Sequence, residues 1–170
     1  MGSGISRIYS NTIQESQPYS KTYRVVKELF EEDKKDPDIY DSISGYFKNP
    51  TATDLEESII DNRIFIGKKR AHGVMTYVMN EEGKIIFGIR KNPNNAEKRA
   101  PHPTLIGEKN PKVKCAGMIT FSKGRIVSID NKSGHFRPNI KSMVVVDAFM
   151  DRLFKDRPEV FDSKSKWRKK

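Results

Sequence analysis

Residues 74–89 read VMTYVMNEEGKIIFGI, and this stretch decides the fold. The residues on either side of Asn80-Glu81-Glu82-Gly83 follow a period of two, which is typical of two strands joined by a turn. Glycine at position 83 can take the positive φ angle that a tight turn requires. Residues 116–130, AGMITFSKGRIVSID, repeat this plan around Ser122-Lys123-Gly124. The sequence therefore predicts two β-hairpins.

Helical patterns lie on both sides of the hairpins. Apolar residues between Val25 and Phe30 have helical spacing, and Ser20 ahead of them is a suitable N-cap. A second helical pattern runs from Met143 to Phe154. We expect an α+β fold, with a twisted antiparallel sheet of about four or five strands built from the two hairpins and helices packed on one face.

The chain of 170 residues is long enough for one domain. We place this domain at residues 20–158. Residues 1–19 lack periodicity and predict a mobile N-terminal arm. Residues 159–170 predict a basic C-terminal tail, and we expect its end, KSKWRKK, to be disordered.

The charge of the chain points to a polyanionic partner. The formal net charge is +10 at pH 7 and the isoelectric point is about 9.6. Such an excess of lysine and arginine attracts RNA or another polyanion. The single cysteine, Cys115, excludes a disulfide framework and a multi-cysteine zinc site, and we interpret it as a packing residue.

The sequence has no apolar run long enough for a membrane span, and residues 1–20 have no hydrophobic signal-peptide core. We therefore expect a cytoplasmic protein, or one delivered by a secretion route that needs no signal peptide.

The residues best suited to chemistry lie between Arg99 and Pro138. The long connection 91–114 carries His102 and Thr104, and loops of this length inside compact domains are often functional. His135 and Arg137 follow the second hairpin. Two histidines with nearby cations suit phosphodiester cleavage, one as general base and one as general acid. We expect no metal site, because no suitably spaced carboxylate accompanies the histidines.

The order of short motifs in this region resembles a known module. Ala116-Gly117, then Ile129-Asp130-Asn131 and Ser133-Gly134-His135-Phe136-Arg137-Pro138, follow a segment beginning His102-Pro103-Thr104. This order is similar to that of a module in plant IQ-motif calmodulin-binding proteins and in C-terminal domains of bacterial polymorphic toxins. The resemblance covers roughly residues 73–138.

The resemblance implies a bacterial toxin-type effector domain, with an immunity protein as a possible partner. It groups the following residues into one site: His102, Thr104, Ser133, His135 and Arg137. Pro103 stands where the module has a hydroxyl residue, which weakens any shared role there. The chain has no IQ-type calmodulin-binding helix, so calmodulin is not expected as a partner.

Three functions remain open at this point. The first is a metal-independent ribonuclease that uses His102 and His135 as the catalytic pair. Its further residues would be Arg137 in catalysis and, for substrate binding, Arg99, Thr104, Lys109 and Ser133. The second is an ADP-ribosyltransferase-like toxin domain that takes NAD as cofactor, although no convincing Glu-x-Glu motif follows a strand. The third is a binding module without catalysis, in which residues 133–138 form a structural corner.

Overall fold

The computed structural model describes residues 16–92 and 95–169, and its longest strand lies at the centre of the fold. The strands are β1 Tyr23–Arg24, β2 Tyr40–Asp41, β3 Tyr46–Phe47, β4 Thr53–Asp54, β5 Ile59–Ile60, β6 Arg63–Ile66, β7 Lys69–Arg70, β8 Gly73–Asn80, β9 Ile85–Gly88, β10 Lys91–Asn92, β11 Asn95–Arg99, β12 Lys112–Ser122 and β13 Arg125–Ile129. The helices are α1 Lys27–Asp33 and α2 Met143–Asp156, and short 3-10 turns cover Glu56–Ser58, His102–Leu105, Ile140–Ser142 and Pro158–Val160.

The main sheet has six antiparallel strands in the order β1-β12-β8-β9-β4, with β13 also paired to β12. β8 lies along one edge of β12, with Tyr77 opposite Gly117. The other edge of β12 is shared, because its first residues pair with β1 and its last with β13. The predicted α+β class and antiparallel sheet are confirmed, and the sheet is one strand larger than the upper estimate.

Alternate residues of β8 and β12 face two separate hydrophobic clusters. On one face, Tyr77, Met79 and Ile119 pack with the buried side of α2. On the other face, Val78 and Ala116 are covered by Leu105 and Phe136 from two connecting segments. Period-two alternation therefore gives the sheet two buried faces, of which the second holds the candidate site residues.

The first helix begins later than the sequence pattern predicted. Tyr23 and Arg24 form strand β1 opposite Val113 and Lys112, and α1 starts only at Lys27. Tyr23 is 3% exposed, and its hydroxyl lies 2.7 Å from the Ser142 Oγ atom. Pairing with β12 and this buried contact outweigh the helical spacing of the neighbouring valines. The prediction of a helix capped by Ser20 was wrong.

The C-terminal segment is part of the core and not a disordered tail. Phe161 is fully buried and Trp167 is 4% exposed, with their ring centroids 5.1 Å apart. The Trp167 indole N–H donates to the Asp151 carboxylate at 3.0 Å. The basic residues on either side of Trp167 face solvent. Because they dominate the composition of this segment, the sequence did not indicate that Trp167 is buried. Residues beyond 158 therefore pack against the domain that the sequence placed at residues 20–158.

Part of the predicted N-terminal arm is also tied down. Residues 1–15 lie outside the described residues, but Gln17 donates from its backbone N–H to the Arg137 carbonyl at 2.7 Å. Its side-chain amide also donates to the Phe136 carbonyl. Within the described part of the chain, neither helix is long and apolar enough to cross a lipid bilayer.

A close backbone crossing fixes the segment that follows β13. A Cβ atom at Gly117 would lie 2.0 Å from the Asp130 carbonyl oxygen and 2.9 Å from the Asn131 Cα atom. Only glycine lets the chain pass this close to β12. The Tyr77 hydroxyl donates to the same Asp130 carbonyl and locks the crossing from the α2 side.

Replacing Gly117 with alanine should lower the free energy of unfolding by about 3 kcal/mol or more, because the clash is with backbone that cannot move aside. Gly83→Ala is the control, since Gly83 has a positive φ but no atom within 4 Å of its Cβ position. Its cost should be only the conformational strain of roughly 1–2 kcal/mol. Urea unfolding of both variants tests this, and equal losses would contradict it.

Trp167→Ala should lower the free energy of unfolding by about 3–5 kcal/mol, as expected for deleting a buried aromatic side chain. Lys164→Ala, in the same segment but exposed, should change it by less than about 0.5 kcal/mol. A urea midpoint of Trp167→Ala equal to that of the wild type would mean that the segment contributes nothing to the stability of the core.

Candidate functional site

Residues 130–138, here called the corner segment, carry Ser133, His135 and Arg137 of the predicted site on a framework of local hydrogen bonds. The Asp130 carboxylate accepts from the backbone N–H of Met118 at 2.8 Å and of Lys132 at 2.9 Å. Arg137 has a φ of 46° and donates from its backbone N–H to the Ser133 carbonyl. A non-glycine residue in this conformation is uncommon and needs such support from its surroundings.

The corner segment presents His135 to helix α1. The His135 carbonyl accepts from the Val26 N–H at 2.8 Å, which fixes its backbone beside the start of α1. The His135 Nε2 atom lies 2.9 Å from the Asp33 Oδ2 atom at the end of α1, with the side chains 21% and 14% exposed. The distance fits an ion pair, but neither atom meets hydrogen-bond geometry. We call this pair the His135–Asp33 dyad.

His102 is buried, with 6% of its surface exposed. Its Nε2 atom lies 2.7 Å from the Gly117 carbonyl oxygen, which can only accept, so Nε2 carries the proton. Burial lowers the pKa of His102 to about 4, and the charges of His135 and Arg90 add to this effect against the opposing hydrogen bond. His102 is therefore neutral at pH 7, which does not suit the role of general acid.

Two of the predicted substrate-binding hydroxyls are satisfied inside the protein. Thr104, 1% exposed, donates to the Pro101 carbonyl at 2.7 Å and accepts from the Asn49 amide at 3.1 Å. Ser133, 6% exposed, accepts from the Phe136 N–H at 3.2 Å. Both side chains hold turns in shape, as short hydroxyl residues commonly do.

The three predicted cations occupy different places. Lys109 is exposed, with its Nζ atom 5.8 Å from the centre of the Tyr46 ring. Arg137 is half-buried and donates from Nε to the Gly134 carbonyl at 3.0 Å. Arg99 ends strand β11, and its side chain lies outside the described residues. The structure thus places His102 near the corner segment. Lys109 contacts Tyr46 instead and takes no part in the hydrogen bonds of the corner segment.

A groove of about 140 Å³ lies beside α1. It is lined by Arg24, Val25, Lys27, Phe30, Asn110 and Pro111. Phe30 forms part of its apolar wall, and the cations Arg24 and Lys27 are exposed. Asp33 follows Phe30 by three residues, roughly 4.5 Å along the helix axis. The groove and the dyad are therefore built on the same short helix.

The sequence did not identify Asp33 or the groove. Asp33 belongs to the run Glu31-Glu32-Asp33-Lys34-Lys35-Asp36, which predicts the end of a helix. The sequence does not show which carboxylate of this run contacts the corner segment, because that depends on the tertiary packing of α1. The spacing of Lys27, Phe30 and Asp33 along a helix is the only local signal, since it puts them near one face.

Neither a metal nor a thiol site emerges from the described residues. No group of three histidine, cysteine or acidic side chains there is arranged to hold a metal ion. Cys115 is fully buried, and burial raises the pKa of its thiol to about 11. A protonated, buried thiol is a poor nucleophile, so its role is packing.

Comparison with known proteins gives no relative. No protein-family model matches the chain, and no curated protein or solved structure is significantly similar to it. The resemblance of residues 73–138 to the module of IQ-motif proteins and polymorphic toxins stays a prediction carried by its motif residues alone.

The neutral state of His102 predicts a loss of stability in mild acid. Between pH 6.5 and pH 4 the unfolded chain binds a proton at this histidine that the folded protein does not. Stability therefore falls as the pH falls through this window, by roughly 1.4 kcal/mol per pH unit and about 3 kcal/mol in all.

The comparison for this prediction is His102→Gln, which keeps a side-chain N–H for the Gly117 carbonyl and has no titrating group. Urea unfolding from pH 7 to pH 4.5 should show a shallower pH dependence for the variant. Parallel curves for the two proteins would mean that His102 titrates normally in the folded state.

Proposed function

We propose that this domain is a toxin-type effector domain that binds RNA and cleaves it, with the His135–Asp33 dyad as its general base. The observation that carries the proposal is a partly exposed histidine paired with a carboxylate at the end of a helix that also lines a cation-edged groove. This differs from a catalytic pair of His102 and His135, because the buried, neutral His102 is better suited to support the fold.

The proposed reaction needs only groups of the protein, the RNA and a water molecule. In the proposed step, the Nδ1 atom of His135 takes the proton of a ribose 2′-hydroxyl while Nε2 faces Asp33. The 2′-oxygen forms a bond to phosphorus, the bond from phosphorus to O5′ breaks, and O5′ takes a proton from a water molecule. The hydroxide that remains takes back the proton from His135 and so restores the neutral imidazole. The products are a 2′,3′-cyclic phosphate and a 5′-hydroxyl. The Asp33 carboxylate stabilises the imidazolium that forms at His135, as in other acid–base dyads.

The groove supplies a place for the nucleotide next to the dyad. Phe30 offers an aromatic wall for a base, which is a sequence-tolerant mode of RNA binding. Arg24 and Lys27 can contact phosphate oxygens, and Arg137 remains a proposed phosphate contact through the nitrogens not used by Gly134. The net charge of +10 favours association with RNA at low salt.

A binding module without catalysis is the second candidate. It is favoured by the buried and satisfied side chains of Thr104, Ser133 and His102, which make much of the motif structural. The NAD-dependent alternative has less support, because no convincing Glu-x-Glu motif follows a strand.

The test is cleavage of a labelled RNA in EDTA, with the product ends analysed for 2′,3′-cyclic phosphate. His135→Gln should lower the rate at least about 100-fold and Asp33→Asn roughly 10- to 100-fold, both with native circular dichroism. Asp147→Asn removes a carboxylate from a surface ion pair with Lys166 and should cleave like the wild type.

An RNA carrying a single 2′-deoxy sugar should resist cleavage at that position, because the nucleophile is missing. Intact RNA after long incubation with folded wild-type protein would eliminate the ribonuclease and leave the binding module. Full activity in folded His135→Gln would eliminate the dyad.

A further inference from the structure

Three arginines meet at the end of the sheet far from the dyad. The hairpin of β6 and β7 docks on the turn between β12 and β13 through two backbone hydrogen bonds: Ile64 N–H to the Gly124 carbonyl at 2.8 Å, and Gly124 N–H to the Ala71 carbonyl at 2.7 Å. This docking brings together Arg63 of β6, Arg70 of β7 and Arg125 of β13. We call these three residues the arginine triad.

The arginine triad has no acidic partner in the part of the chain that the structure describes. The nearest acidic residues along the adjoining segments are Asp61, Glu159 and Asp162. None of them forms an ion pair with a triad arginine, since the ion pairs of the described residues lie elsewhere. The Arg125 Nε atom is buried and has no hydrogen-bond partner. A buried guanidinium N–H without a partner is unfavourable and is relieved by an anion.

The Arg63 guanidinium also lies close enough to Arg125 and Arg70 to be affected by their positive charges. Partial burial, together with the charges of Arg125 and Arg70, lowers the pKa of Arg63. Gly124 packs closely against Arg63. A Cβ atom at Gly124 would lie only 3.1 Å from the Arg63 Cβ atom. Like charges held together by the fold without a counter-charge favour binding of an oxyanion.

We propose that the arginine triad binds phosphate groups of the RNA backbone, as a second contact surface for the RNA that the groove beside α1 receives. This inference rests on the proposed RNA ligand. Guanidinium groups match phosphate oxygens in geometry and stay charged at all physiological pH values. Lys68, Lys69 and Lys123 are exposed around the triad and extend the positive field.

The two surfaces lie at opposite ends of β12. β1, which leads into the groove, pairs with Lys112 and Val113, whereas the triad surrounds the turn that follows Ser122. Ten residues of strand correspond to roughly 33 Å. An RNA that reaches both surfaces must therefore be several nucleotides long, and short fragments contact only one.

The test measures binding without cleavage. A labelled single-stranded RNA with 2′-O-methyl sugars cannot react, so its affinity is independent of whether the dyad is catalytic. Fluorescence anisotropy at several salt concentrations gives both the affinity and its salt dependence. Arg63→Gln/Arg70→Gln should bind at least 10-fold more weakly than the wild type at low salt. Its slope of log K against log salt should be smaller in magnitude by about 1.4, at roughly 0.7 for each lost phosphate contact.

The matched control is Lys84→Gln/Lys141→Gln, which removes the same charge from two exposed lysines away from the triad. It should keep the wild-type slope and bind within about twofold of the wild type. Equal losses in the two double variants would overturn the triad and leave only a general charge effect. Unchanged binding by folded Arg63→Gln/Arg70→Gln would overturn it as well.

If the double variant does not fold, Arg70→Gln alone serves, because Arg70 is exposed and its side chain makes no hydrogen bond within the described residues. Its slope should fall by about 0.7. Tight binding of the methylated RNA by a protein that never cleaves natural RNA would refute the ribonuclease and keep the triad.

Discussion

The passage of the Asp130 backbone over Gly117 is the constraint on which the rest of the site depends. The missing side chain at Gly117 lets the chain leave β13 and cross β12 at backbone distance. The carbonyl of the same glycine accepts a hydrogen bond from His102 Nε2. Gly117 therefore connects both connecting segments to the sheet. The corner segment then turns Phe136 into the second cluster and sends the His135 side chain toward α1.

This arrangement gives the two motif histidines different environments. His102 is buried, hydrogen-bonded to a carbonyl and neutral, and replacing it would destabilise the folded protein. His135 is one-fifth exposed, and its side chain faces the Asp33 carboxylate. The hydrogen bonds that hold the corner segment in place are made by the backbone of His135 and by neighbouring residues. The two motif histidines therefore have different roles: His102 is a buried part of the fold, and His135 is presented by the corner segment beside Asp33.

The sequence predicted the elements whose determinants are local. Period-two alternation and the glycines of the turns gave both hairpins, and helical spacing gave α2. The errors came from long-range contacts: Tyr23 joined β12 instead of a helix, and Trp167 joined the core from a basic run. In the site, His135 could be chosen from its motif, but its partner Asp33 could not, because only the tertiary fold selects one carboxylate from an acidic run.

The burial of Trp167 also affects how the domain is made. Synthesis proceeds from the N-terminus, so β12 and β13 emerge from the ribosome before the residue that completes their core. Until then the apolar face that receives Phe161 and Trp167 is open. The core can therefore be completed only after Phe161 and Trp167 have left the ribosome, and a nascent chain that exposes β12 and β13 without them holds a domain that is not yet closed.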